Sequence, residues 1–128
     1  RQDSKGGVYM IGGNITAQLQ VSTTKKNAIG ESVKAWHPVI DLEGFIDFQS
    51  GQAGYNNFNA KIQESTHIFV GDYKPIPDVL NIEGKSVKVS TENARMVANS
   101  QEFDVLLMDN PMGMNYQWEI YLKYTGGQ

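Results

Sequence analysis

The sequence predicts a small all-β domain: an antiparallel barrel or sandwich of six to seven strands, with long loops and at most one short helix. Three observations lead there. Ile15, Ala17, Leu19 and Val21 alternate with Thr16, Gln18, Gln20 and Ser22, the period of a strand with one buried face. Near the end of the chain, Tyr116, Trp118, Ile120, Leu122 and Tyr124 alternate in the same way with Gln117, Glu119, Tyr121 and Lys123. Turn-forming residues punctuate the apolar segments between, and no heptad, internal repeat or low-complexity tract competes.

At 128 residues the chain fits one domain. Residues 1–14 are polar and glycine-bearing, with only Val8, Tyr9, Met10 and Ile11 able to dock, and read as a flexible arm before a single domain over 15–128. The first strand occupies 15–23, and 24–32, with Lys25, Lys26, Asn27 and Gly30, forms a hairpin loop. A second extended segment covers 33–48. Within it Pro38 lacks an N–H and demands an edge position or a bulge, and Gly44 softens the strand again. A third strand is expected over 60–70, with Ile62, Thr66, Ile68 and Val70 sharing a face and Glu64 at its outer end. Pro75 and Pro77 then break the chain, and 79–82 pairs with 85–89 about the turn Glu83-Gly84. Residues 91–101 are the helical candidate, with Thr91 as cap and Glu92 in the first turn, a loop being the alternative. Residues 103–108 are apolar at nearly every position, as for a strand covered on both faces. Asp109, Asn110, Pro111, Met112, Gly113, Met114 and Asn115 supply the tight turn into the last strand.

The segment Gln49, Ser50, Gly51, Gln52, Ala53, Gly54, Tyr55, Asn56, Asn57, Phe58, Asn59 has loop composition and no periodicity. Loops of this length in a small domain are usually functional or disordered. Here the two readings are a plain connection and a scaffold on which Tyr55 and Phe58 anchor during assembly. Residues 44–60 hold no Lys or Arg, and Asp47 is their single charge.

Eleven basic against fourteen acidic residues give a net charge of -3, and the lysines are scattered, which argues against a nucleic-acid gripper. With no cysteine, disulfides and thiolate metal sites are excluded. No apolar run approaches membrane-spanning length. His37 and His67 lack partners at metal-binding spacing, so no metal or other cofactor is expected. Ser65 and Thr66 beside His67 suggest no triad, because adjacent strand residues point to opposite faces. Asp41 and Glu43 share a face of an extended segment and read as a solvated strand face rather than paired catalytic acids. Glycine pairs at 6–7 and 12–13 lack the Lys-Ser/Thr of a phosphate loop. Trp36, Trp118, Tyr121 and Tyr124 could stack on a base or sugar, but alternation assigns Trp118 and Tyr124 to the core. No nucleophile, base and oxyanion donor can be assembled, so no enzyme is expected.

Several stretches together resemble the head-tail joining proteins of long-tailed phages, also called head-closure or stopper proteins, in the versions carried by phages of Gram-positive bacteria. They are Ala35-Trp36-His37-Pro38-Val39, Glu64-Ser65-Thr66-His67-Ile68-Phe69-Val70, Ile82 to Val89, and above all Asp109-Asn110-Pro111-Met112 followed by Trp118 to Tyr124. The resemblance spans about 15–126; the arm before Ile15 is longer than the family core needs, and no basic cluster is present to meet DNA. It implies a small β-barrel, a ring in the virion beneath the portal and its adaptor, that closes the channel after packaging and offers the tail its docking surface. It also implies that a long loop between the second and third strands, here 49–59, projects into the channel as a gate. Lacking cations, such a loop would block DNA sterically. The implied partners are copies of itself, the portal adaptor, a tail terminator or tail-tube protein, and packaged DNA by steric contact only. The location is the head-tail interface of the virion, with the host cytoplasm during assembly. The alternatives are a phage tail terminator and a carbohydrate- or peptide-binding β-module.

Overall fold

Six antiparallel strands close into a barrel in the order β1-β2-β3-β8-β7-β6, and a separate two-stranded ribbon, β4-β5, stands outside the ladder. The computed structural model describes residues 15–48 and 60–127. The expected arm and the expected gating loop both lie outside them. The elements are β1 (Ile15–Lys26), β2 (Ser32–Phe48), a one-turn helix α1 (Ala60–Glu64), β3 (His67–Asp72), β4 (Val79–Ile82), β5 (Lys85–Lys88), β6 (Ala94–Ala98), β7 (Gln101–Asp109) and β8 (Gln117–Gly127). A short 3-10 turn, Pro111–Gly113, joins the last two.

The alternating residues of β1 behave as their spacing dictates. Ala17, Leu19 and Val21 are completely buried, as are Leu42, Phe69, Met96, Ile120 and Leu122 from four other strands. Each of the larger side chains among them contributes roughly 1.5 to 3 kcal/mol by leaving water, and together they form one continuous core cluster. Pro38 sits where the β1–β2 register slips: Leu19 faces Ile40 and Gln20 faces Pro38, leaving Val39 unpaired in a bulge. The Glu83-Gly84 turn has both residues at positive φ, 51° and 81°, the primed geometry that suits a two-residue hairpin.

Four expectations are corrected. Residues 60–64 form helix α1 rather than the start of a strand, and Phe69 and Gly71, not Ile68 and Val70, face the core. The helix absorbs Ile62, which is buried, and a bend at Thr66 resets the alternation before β3 begins at His67. Residues 94–98 are strand β6 rather than helix: Ala94, Met96 and Ala98 point inward, and the strand pairs with β1 and β7 to close the barrel. Strand β7 is covered on one face only. Phe103 and Val105 are buried while Asp104 is exposed, and a register shift between Val105 and Leu107 leaves Leu106 unpaired, so its apolar run reflects a bulge. Finally, Tyr116 is exposed, because it lies one residue before β8 and escapes the alternation that buries Ile120 and Leu122.

Gly44 and Gly71 face each other across β2 and β3. A Cβ at Gly44 would sit 2.1 Å from the Val70 carbonyl oxygen, and one at Gly71 would meet the Phe69 ring at 2.5 Å and the Glu43 carbonyl oxygen at 2.6 Å. The two strands can approach this closely only without side chains, which is the reason for glycine here. Replacing Gly44 with Ala is expected to destabilise the chain by about 3 kcal/mol, measured as a shift of the urea midpoint. An unchanged midpoint would show that the strands can separate freely at this point.

Candidate functional site

Antiparallel closure divides the connections between the two ends of the barrel. Residues 27–31, 73–78, 89–93 and 110–116 lie at one end, and the end of β2 at Phe48, residues 60–66 and the 99–100 turn lie at the other. Exposed apolar side chains follow this division. Among the described residues Ile29, Val33, Val79, Met112, Met114 and Tyr116 project at the first end and Phe48 at the second. Apolar groups gathered in this way are the mark of a contact surface.

The turn at the first end is stiff. Asn110 Nδ2 donates to Asn115 Oδ1 at 2.8 Å, and the Asn115 backbone N–H returns a bond to Asn110 Oδ1 at 3.1 Å. Gly113 N–H closes onto the Asn110 carbonyl at 2.8 Å, with Pro111 fixing the entry. Met112 is held at φ 56° and is 90% exposed. A non-glycine residue in that conformation costs on the order of 1 kcal/mol, a cost met by the clamp rather than by any burial of Met112. Asp109 is exposed at the end of β7, directly opposite Glu119. Trp118 is half-buried against the core: its Nε1–H donates to the Lys74 carbonyl at 2.8 Å and its ring stacks on Tyr73 at 5.5 Å. It therefore ties the β3–β4 connection to the barrel in addition to covering apolar surface.

At the opposite end a ring cluster lies beneath the point where the chain leaves β2. Phe48 pairs with His67 in the ladder, and their rings are 4.9 Å apart. His67 meets Phe103 edge-on at 5.2 Å and Tyr124 at 6.2 Å. Thr66 does contact His67, contrary to expectation, because it lies in the bend before the strand and not within it. Its Oγ1 is 2.8 Å from His67 Nδ1 and accepts the Tyr124 backbone N–H, also at 2.8 Å. Thr66 thus ties the His67 ring to the β8 backbone. Burial lowers the His67 pKa below its ordinary value, in keeping with a neutral ring. Ser65 is committed elsewhere, donating to the Ile62 carbonyl.

Trp36 lies on the outer face of the barrel, apart from both ends. The Arg95 guanidinium sits 4.2 Å from its ring centroid and Lys34 Nζ 5.6 Å away. Arg95 is fixed there by Gln20 Oε1 at 2.7 Å and Glu102 at 3.2 Å. A groove of about 330 Å³ runs alongside, lined by Lys34, Trp36, Lys61, residues 91–94 and residues 104–106. Asp41 and Glu43 are both exposed on one strand face, with Asp41 accepting from Gln18 Nε2 at 3.1 Å. His37 lies 2.9 Å from Thr23 Oγ1, and among the described residues no group of three His, Asp or Glu side chains could hold a metal ion.

The singled-out residues thus fall into three places: Thr66 and His67 at one end, Asp109, Asn110, Pro111 and Met112 with Trp118 near the other, and Trp36 on the side. Sequence reasoning missed Phe48, Arg95, Met114 and Tyr116 as surface determinants. Only Met114, inside a turn already recognised, carried a signal that could have found it.

Protonating His67 is less favourable in the folded chain than in the unfolded one. Stability is therefore full above the unfolded value, about 6.5, and is lost as pH falls through it. Denaturant midpoints are expected to drop between about pH 7.5 and pH 5.5, with a smaller drop in His67→Gln. Equal slopes would assign the proton to another group. In comparison with known proteins, no family model matches the chain and no curated protein is recovered as a relative.

Proposed function

We propose that this chain is a structural protein of a phage head-tail connector, forming a ring beneath the portal and its adaptor that closes the DNA channel after packaging and receives the tail. The observation that supports this best is the division of the barrel ends. One end presents a rigid turn with exposed Met112, Met114 and Tyr116, suited to a protein partner. At the other, the strand end that precedes 49–59 in the sequence is anchored by Phe48, His67, Phe103 and Tyr124, as the base of a gate would need to be. The resemblance around Thr66-His67 and Asp109-Asn110-Pro111-Met112 supplies the identity of the assembly, and these motifs belong to the two anchoring structures.

A tail terminator would use the same kind of barrel and would cap tail tubes without the portal complex. A second reading, a carbohydrate- or peptide-binding module, draws on the groove at Trp36. It is the weaker one, because the Arg95 guanidinium already lies on the indole ring.

The test is to add the purified chain to DNA-filled, tail-less heads that lack it and to follow nuclease-sensitive DNA. Leakage should cease on addition. A variant in which 49–59 is shortened to a tight turn should fold, bind the heads and fail to stop leakage. Retention by the shortened variant would refute the gate, and absence of binding by the full chain would refute the connector.

A further inference from the structure

The β4-β5 ribbon stands outside the barrel ladder and has two edges of its own. The Val89 backbone N–H donates to the Asp78 carbonyl at 2.9 Å, which fixes the phase of the ladder. Leu80 and Ile82 then direct their backbone groups toward β5, and Val79 and Asn81 direct theirs away from it. Among the described residues nothing bonds to the outward N–H and C=O groups of Val79 and Asn81. The strand is nevertheless rigid. Leu80, Ile82 and Val87 pack on the core, and Lys25 pairs with Glu83 at the tip at 3.1 Å.

The two edges differ. On β5 the Lys88 carbonyl accepts Asn93 Nδ2 at 2.9 Å, and Lys85 and Lys88 guard the strand in the manner of a protected edge. No charge stands on β4, and its Val79 is 51% exposed. Lys85 and Lys88 together outweigh Asp78, while Glu83 is already paired with Lys25, so this ribbon is locally positive on a chain of net charge -3.

We infer that the β4 edge is a docking site for an extended, acidic segment of a partner protein, which adds a third strand to the ribbon. Such a strand lies about 9.6 Å from β5, two strand spacings, within reach of a lysine and a glutamate extended toward each other. Val79 and Lys88 are cross-strand neighbours on the outer face, so a carboxylate beside Val79 meets the Lys88 ammonium. Pairing of β4 with a second copy would instead bring two positive ribbons together. The inference stands independently of the connector reading.

The test uses the full chain and a short synthetic peptide alternating valine and glutamate, with a valine-lysine peptide as control. Amide exchange at Val79 and Asn81 is expected to slow about tenfold with the acidic peptide and to stay unchanged with the basic one. Asn81→Pro removes an outward N–H without touching the β4-β5 ladder, so this variant should keep its thermal midpoint and lose the protection at Val79. The inference is overturned if the acidic peptide gives no protection, if the basic peptide protects equally, or if the proline variant still responds. It is also overturned if the free chain already protects these amides in proportion to its own concentration, the sign of self-pairing.

Discussion

The close approach of β2 and β3 at Gly44 and Gly71 is the constraint on which the rest of this small barrel depends. With the strands in contact there, Phe69 turns inward, and its ring fills the space that a side chain at Gly71 would need. From that point β3 pairs with β8, β8 with β7, β7 with β6, and β6 returns to β1 over the short register from Gln18–Val97 to Val21–Ala94. The six strands thereby close into a barrel, and the two-stranded ribbon stands outside its ladder.

Apolar side chains from β1, β2, β3, β6, β7 and β8 fill the described core, and most of the exposed apolar groups lie at the barrel ends. One end is built for rigidity: reciprocal side-chain bonds between Asn110 and Asn115 hold Met112 in a conformation that it would not adopt alone. The other end is built from rings, with His67 oriented by Thr66 and packed among Phe48, Phe103 and Tyr124. Positive φ at Asn99 and Ser100 makes the β6-β7 turn tight.

Much of the fold was legible because burial imposes period two. Strand β1, the Pro38 bulge, the Glu83-Gly84 hairpin and the inward placement of Ile120 and Leu122 follow from single residues and their spacing. Strand β6 was not legible, because Ala94, Met96 and Ala98 are good helix formers and Thr91-Glu92 imitates a helix start; pairing with β1 and β7 overrode both. Helix α1 was hidden by Ile62, whose spacing from Ile68 also suits a strand. At the candidate site, the turn chemistry of Asn110, Pro111 and Gly113 was visible in the sequence. The contact between Thr66 and His67 was not, because it depends on a bend that alternation alone does not reveal. Arg95 over Trp36 joins residues distant in sequence across three strands, and only the register brings them together.

The central claim, the proposed connector role, is tested most directly by deleting this gene from a phage that encodes it and imaging the lysate by electron microscopy. The account predicts tail-less heads, full or leaking, beside complete free tails of normal length. Intact virions would contradict it, and heads beside tails of uncontrolled length would favour the tail terminator instead.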